Sequence, residues 1–383
     1  MKRKPGNNSN ISFFNLTSGE VIPSIWPFLE QGLWKQADPA AFEENTVLGV
    51  LKRGAWKPVI KGFIPFYEGM RWDITSKSTY DPTYIPRIVK TDWDSVISAT
   101  SNFFKKYQDK RIGVQLSGGL DSSIVIGLLS YLNIPFSLVG MTTKRYEFRT
   151  ERHIQELLFP LAKEAILLNY DYHLPLSKLL EVPTHQHPEL LSINYSSENA
   201  MALACEQLGI EVLLTGDGGD NLFAEALPDD PNLCPWIPQV FSDPWPAEYV
   251  YGPRGVELVP FFADEGFMDA IYNLRRGQSE DNSKWWARKF FERILPSELV
   301  QFDYCADFWG LYISGMQDAI PTIKMLFDQA YLLTGNSLFS SKSTEALFSQ
   351  DLLDAKKEKY QRIEARAAFA VWLHGLKKAG IAS

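Results

Sequence analysis

Seven consecutive residues, Ser117-Gly118-Gly119-Leu120-Asp121-Ser122-Ser123, combine the groups needed to hold a polyanion. They follow Ile112-Gly113-Val114-Gln115-Leu116, which reads as a short buried strand. They precede Ile124-Val125-Ile126-Gly127-Leu128-Leu129, which reads as the start of a buried helix. A turn that opens a helix presents unbonded N–H groups and about half a positive charge from the aligned peptide dipoles. Its glycines let backbone approach a bulky anion closely. Asp121 fits a phosphate cradle if a divalent cation lies between its carboxylate and the phosphates. The simpler alternative is an ordinary strand-to-helix turn capped by Ser117. The phosphate reading uses all seven residues in one mechanism.

A second block follows another apparent strand, Glu211-Val212-Leu213-Leu214. It reads Thr215-Gly216-Asp217-Gly218-Gly219-Asp220-Asn221-Leu222-Phe223. The first block resembles the SGGLDSS pyrophosphate loop of the ATP pyrophosphatase superfamily. The second resembles the S-G-E-G-A-D-E-L-F block of asparagine synthetases and their relatives. The two in this order are far more specific than either alone, and the resemblance covers roughly residues 91–296. Relatives include beta-lactam synthetase and the cyclases that close lasso peptides, the group this chain resembles most. All activate a carboxylate as an acyl-adenylate that an amine then attacks.

The resemblance implies ATP and Mg²⁺ as cofactors and assigns roles by position. Ser117, Gly118, Gly119, Ser122 and Ser123 correspond to the pyrophosphate cradle. Asp121 and Asp220 correspond to the two magnesium-holding aspartates, although Asp220 also fits a helix cap after a glycine turn. Val139 and Gly216, read as strand ends, correspond to positions that border the nucleotide. Asp217 stands where asparagine synthetases carry glutamate, a position that orients or deprotonates the amine. Further on, Val259-Pro260-Phe261-Phe262-Ala263-Asp264 resembles a P-F-L-D element, and Lys284-Trp285-Trp286-Ala287-Arg288 a K-x-x-x-R helix start. Residues four apart share a helix face, so Lys284 and Arg288 can address one anion, with a solvated basic face as the alternative. Lys284 is the expected catalytic cation.

One departure stands out. The relatives place a second lysine just after the Leu-Pro that ends this helix. Here Leu295-Pro296-Ser297-Glu298-Leu299-Val300 leads into Phe302-Asp303-Tyr304-Cys305 without one. Either Lys324, Lys342 or Arg362 supplies the charge, or the chain is a weakened ligase.

The bulk properties are those of a globular protein. The chain has 383 residues, 45% hydrophobic, with a net charge of −8. That charge, with no basic block beyond the Met1-Lys2-Arg3-Lys4 start, argues against nucleic-acid binding. It also argues against the tRNA-thiolating branch of the superfamily. The start lacks an apolar core and is not a signal peptide. The apolar window 123–140 is broken at Asn133-Ile134-Pro135, so no membrane span is expected. Three cysteines, Cys205, Cys234 and Cys305, form no CxxC pattern, and a reducing cytoplasmic setting is expected. His185-Gln186-His187 lies between prolines and reads as a solvated loop pair, with metal binding as the alternative.

The elements that position these loops read as α/β. Helical stretches over 92–106, 150–162 and 196–208 alternate with strands over 112–116, 136–140, 165–170 and 211–214. Thr150 and Ser196 or Ser197 are the expected helix caps. Such alternation predicts a parallel sheet covered by helices, with ligands at the C-terminal strand ends. The resemblance makes this an adenine nucleotide alpha-hydrolase-like fold. A short β-rich N-terminal region with strands within 62–73, a disordered start over 1–10, a functional loop over 228–253 and a helical C-terminal region complete the expectation. Helices are expected over 265–274, 283–294, 309–316, 323–333 and 352–377. By the resemblance, residues 1–90 are a truncated glutaminase-like remnant without a nucleophile, since Lys2 follows Met1, and residues 91–383 the synthetase domain. No ammonia from glutamine is then expected.

The function implied is an ATP-dependent, AMP-forming carbon–nitrogen ligase. The Gly216-Asp217-Gly218-Gly219-Asp220 form and the tail around Ala370-Val371-Trp372-Leu373 point to a macrolactam cyclase. It adenylates an Asp or Glu side chain of a precursor peptide, whose own N-terminal amine attacks. The implied partners are that peptide and the leader-binding protein and leader peptidase of its pathway. A stand-alone amide synthetase using ammonia or a small amine is the alternative. A non-catalytic ATP- or peptide-binding homologue is a third.

Overall fold

The computed structural model describes residues 11–48, 58–67, 71–73, 78–80, 84–234, 244–301, 308–348 and 357–382. Strands β6 (Ile112–Leu116), β7 (Ser137–Thr142), β8 (Glu164–Asn169), β9 (Val212–Thr215) and β10 (Glu257–Pro260) form one sheet in the order β10-β9-β6-β7-β8. All its pairings are parallel, with Val114 opposite both Leu138 and Leu214. The chain winds outward from β6 through β7 to β8, then returns to lay β9 on the other side of β6. That reversal places a topological switch point between β6 and β9, where open α/β sheets bind ligands. Both signature loops leave these two strands.

Side-chain alternation divides the sheet between two cores. Ile112, Val114, Leu116, Leu138, Val212 and Leu214 face one side. There they meet helices α3 (Trp93–Lys105), α4 (Leu120–Tyr131) and α9 (Glu265–Arg275). Val139 and Leu213 face the other, against helix α6 (Tyr195–Gln207), α12 (Trp309–Thr334) and α14 (Lys357–Lys378). A strand buried on both faces needs apolar residues at nearly every position, which is why these segments read as short continuous runs.

The N-terminal part joins the second core. Strands β1 (Ile11–Asn15), β2 (Glu20–Ile22) and β3 (Phe63–Tyr67) make an antiparallel sheet in the order β2-β1-β3, and β4 (Arg71–Asp73) pairs with β5 (Ser78–Tyr80). Short helices α1 (Trp26–Glu30) and α2 (Pro39–Leu48) follow β2. Phe13, Leu29, Trp34 and Phe42 share one buried cluster with Phe369 and Trp372 of α14. Buried Glu43 accepts from Arg366 (2.5 Å) and Arg362, which fastens α2 to α14.

Several local expectations are corrected. The helix expected at Thr150 is α5 (Arg149–Leu158), fed directly by the 3₁₀ turn Tyr146–Phe148, so Thr150 is not its cap. Helix α6 starts one residue before Ser196, which lies buried in its first turn, and Asn194 holds the cap position without a side-chain bond. The two helices expected over 309–333 are the single α12, which runs through Pro321. A proline inside a helix costs about 3 kcal/mol. Burial of Leu311, Met316, Ile323, Leu326 and Phe327 offsets that. Helix α3 matches its expectation closely, with Asp92 and Ser95 forming a reciprocal capping box.

The proposed functional loop over 228–253 is largely structural where it is described. Helical turns α8 (Pro244–Pro246), Ala247–Tyr251 and Gly252–Arg254 bury Trp245 and Tyr251. His185 and His187 are buried, not solvated. The His185 carbonyl accepts the Trp372 indole N–H at 3.1 Å, and its ring lies against Trp245. Neighbouring Gln186 accepts from Ser24 and from the Ile25 N–H, both at 2.8 Å. Among the described residues no cluster of metal-ligating side chains includes these histidines. The expected disorder over 1–10 and the start of the helix expected at 352 lie outside the described residues. No described helix is long and apolar enough to cross a membrane.

Candidate active site

The first loop is a folded cradle. Gly118 takes a left-handed conformation with φ 85°, and a Cβ there would lie 2.4 Å from the Glu151 carbonyl. Only glycine meets both conditions, because the first turn of α5 presses on the loop. Gly119 caps α4 in extended conformation and its N–H reaches the Ser117 hydroxyl at 3.1 Å. That hydroxyl also bonds Ser122 Oγ at 2.8 Å. Ser123 is fully buried and donates to the Gly119 carbonyl at 2.7 Å, so its side chain braces the turn from within.

A residue that the motif does not contain holds the cradle in place. Buried Gln155 of α5 donates from Nε2 to the carbonyls of Leu116 (3.2 Å), Ser117 (3.2 Å) and Met141 (2.8 Å). One amide thus ties α5 to the ends of β6 and β7. A polar residue on a buried helix face was the available signal.

The second loop meets the first. Gly218 is left-handed at φ 87° and opens α7 (Gly219–Phe223). A Cβ on Gly219 would fall 2.3 Å from the Asp121 carboxyl carbon, so this glycine is what lets the loops touch. Lys284 then reaches between them. Its ammonium lies 2.8 and 2.6 Å from the two Asp121 oxygens and 2.6 Å from Asp220 Oδ1. Lys284 sits at the N-terminus of α10 (Trp285–Phe290) with φ 53°, an uncommon conformation for a residue with a Cβ. Burial works against its charge, but the Asp121 and Asp220 carboxylates more than offset this and hold its pKa above the ordinary value.

Asp121 and Asp220 fit a divalent cation. Their oxygens converge on a single cationic point, now the Lys284 ammonium, and hard carboxylate donors suit Mg²⁺. Two protein carboxylates with the remaining positions taken by phosphate and water is the usual way Mg²⁺ is held at nucleotide sites. Asp220 does not cap α7 by a side-chain bond; Gly218 holds the cap position.

Other expected residues sit differently. Val139 is fully buried in mid-strand opposite Gln115, because β7 continues to Thr142. Met141, two residues on, is the β7 side chain that reaches the crevice. Gly216 lies at the end of β9 against the Asp121–Ser122 backbone. Asp217 accepts from the Thr215 hydroxyl at 2.7 Å, and the protein packed around it pushes its carboxyl up while one face stays open to solvent. Arg288 does not point with Lys284: its guanidinium donates to the carbonyls of Ser283 (3.0 Å) and Leu299, while its charge still reaches Asp121. Cys305 and Tyr304 lie outside the described residues. Of the substitute cations, Arg362 pairs with Glu43 and Glu358, and Lys324 lies over the Phe348 ring.

A crevice of about 130 Å³ opens beside the first loop, lined by Gln115, Ser117, Met141, Tyr170, Glu198 and Phe308 among others. A larger open groove of about 730 Å³ lies between α3 and the start of α9; Val259, Pro260, Ala263 and Asp264 of the P-F-L-D-like element line it, but none of the cradle, magnesium or catalytic candidates does. We assign the chemistry to the smaller space because it adjoins the switch point and the cradle.

Comparison with known proteins agrees with part of this picture. Residues 105–245 match the family described as asparagine synthase, a span that includes both signature loops and stops before Lys284. No curated protein matches the chain. Solved structures similar to it include NAD+ synthetase from Burkholderia pseudomallei, 12% identical over 52% of this chain and 87% of that one, TM-score 0.25. NMN synthetase from Francisella tularensis is likewise 12% identical over 58% of this chain and 95% of that one, TM-score 0.25. Superpositions this loose carry no argument about function.

Proposed function

We propose that this chain is an ATP-dependent amide-forming ligase that releases AMP and pyrophosphate. The observation that carries the reading is the meeting of Asp121, Asp220 and Lys284 at the ends of two adjacent parallel strands. A carboxylate is a poor acyl donor. Its oxygen attacks the α-phosphate of ATP, pyrophosphate leaves, and the acyl-AMP carries a good leaving group. An amine nitrogen then attacks the acyl carbon, AMP departs with the C–O bonding pair, and the amine gives up a proton.

The chain's own groups suit these steps. The N–H groups at the start of α4 would bond the pyrophosphate. Asp121 and Asp220 would hold Mg²⁺, which supplies charge neutralisation at the phosphates. Lys284, displaced from the two carboxylates when Mg²⁺ takes their oxygens, would donate a charge-assisted hydrogen bond to the leaving pyrophosphate. The asparagine synthase match over both loops supports ATP use and amide formation.

The finer reading is a macrolactam cyclase acting on an Asp or Glu side chain of a precursor peptide, in a cytoplasmic pathway with a leader-binding protein and a leader peptidase. Its support is the form of the second block and the sequence of α14. The test is incubation of the purified chain with MgATP and the precursor peptide encoded beside its gene. AMP, pyrophosphate and a peptide lighter by one water are expected. ADP and phosphate as the main peptide-dependent products would overturn the adenylation step. Turnover with ammonia but not with the peptide would favour the stand-alone amide synthetase.

A further inference from the structure

The crevice beside the cradle contains a carboxylate without a cation. Glu198, on the first turn of α6, lines this space with Ser117 of the phosphate loop. The buried Tyr251 hydroxyl donates to Glu198 Oε2 at 2.9 Å, which fixes the direction of the carboxylate. Among the described residues no hydrogen bond reaches Oε1 and no cation pairs with the group. The remaining lining includes Gln115, Leu116, Met141, Tyr170 and Phe308, none of them positive. Asp217, from the second loop, adds a further negative charge nearby. Burial pushes the Glu198 carboxyl up to about 7.

A half-buried carboxylate held by one phenol and facing a cavity is costly unless a cation or water joins it. Arginine meets this need at other carboxylates among the described residues: Glu43 has Arg366, Asp171 has Arg145, Asp269 has Arg87. Glu198 has its cavity instead. We propose that Glu198, oriented by Tyr251, is the anchoring residue for the primary ammonium group of the acyl acceptor. The residue's purpose rests on the amide-forming reading above; its preference for a cation rests on geometry alone. The cavity has room for an amino group and the first carbons behind it. Ser117 on its wall places that nitrogen beside the nucleotide loop, where the acyl carbon is expected. Met141, Met201 and Phe308 flank it with apolar surface, which suits the carbon next to a peptide's N-terminus better than free ammonia.

The test needs no knowledge of the true substrate. Glycinamide hydrochloride, which has a peptide-like ammonium, is titrated into the full chain against N-acetylglycinamide, which has none. Binding is followed by saturation-transfer NMR, and MgATP binding is measured on the same samples. Glycinamide is expected to bind at least tenfold more tightly than its acetylated form. Glu198→Gln should remove that preference and leave MgATP affinity within twofold. Glu198→Asp keeps the charge on a shorter arm and should retain part of it, and it decides the question if Glu198→Gln does not fold. Equal binding of the two probes overturns the proposal. So does a preference that survives Glu198→Gln or that Asp217→Asn alone removes. Ammonium preference without MgATP binding would sink the ligase reading, and with it the acyl-acceptor role, and leave only the cation preference of Glu198 standing.

Discussion

At the scale of residues, Asp121 and Asp220 make similar contacts to Lys284 but differ in exposure, and this separates their expected behaviour. The Asp220 side chain is 88% exposed, so Asp220→Asn should change stability by less than about 1 kcal/mol while weakening magnesium-dependent ATP binding. The Asp121 side chain is 21% exposed and bonds Lys284 through both oxygens. Asp121→Asn should lose the same binding and also destabilise the fold, by about 3 kcal/mol if the pair behaves as a buried one. Urea denaturation with MgATP titration checks both. Equal stabilities for the two variants would contradict the exposure argument. Lys284→Ala should lower kcat about a hundredfold if it acts as one fixed transition-state donor. Unchanged turnover would remove it from the mechanism. The identities of these three residues were legible from their motifs. Their convergence on one point was not, because Lys284 comes from an element 163 residues away in sequence from Asp121.

At the scale of elements, the cradle depends on neighbours that no loop motif names. Gln155→Leu would leave the Leu116, Ser117 and Met141 carbonyls without their shared donor. Each unsatisfied buried polar group costs about 1–3 kcal/mol. A loss of a few kcal/mol with a weaker ATP site is expected, read by denaturation and nucleotide titration. A fully stable variant with normal ATP affinity would show that the cradle stands without it. The His185 segment gives a pH-dependent prediction. Burial holds the His185 pKa down at about 4, against an ordinary 6.5. The unfolded chain therefore takes up a proton before the folded one does. Stability from this residue is complete above about pH 6.5 and falls as pH drops toward 4, by about 3 kcal/mol in total. His185→Leu should flatten that part of the profile in denaturation between pH 7 and 4.5. Parallel profiles would contradict it. Composition concealed this: two histidines between prolines read as a surface loop until α14 is laid over them.

At the scale of the whole molecule, the first described strands and the last helix share one core. Glu43 and Arg366, both nearly buried, clamp α2 to α14. Glu43→Ala leaves Arg366 without its carboxylate and should cost about 3–5 kcal/mol. The double variant Glu43→Leu with Arg366→Met should cost clearly less than the single one, since it removes both charges. A double variant as damaged as the single, in urea denaturation, would mean that packing and not charge is at stake. The sequence by itself determined the α/β class, the positions of four of the five parallel strands within a few residues and the two loops that end β6 and β9, while the edge strand β10 went unread because it runs into a segment that resembles a P-F-L-D element. It did so because apolar runs, turn glycines and cap residues act over a few neighbours. It could not determine that Val139 lies in mid-strand, that Arg288 turns to carbonyls away from the site, or that Pro321 sits inside an unbroken helix. Those outcomes rest on burial against distant elements. Only the tertiary structure decided that β9 returns to the side of β6, bringing the two loops together with Lys284 between them, and that Ser117 of the first loop shares a crevice with Glu198. Parallel strands carry no local signal of their order, since the partners are joined by long crossovers and chosen by the packing of whole faces.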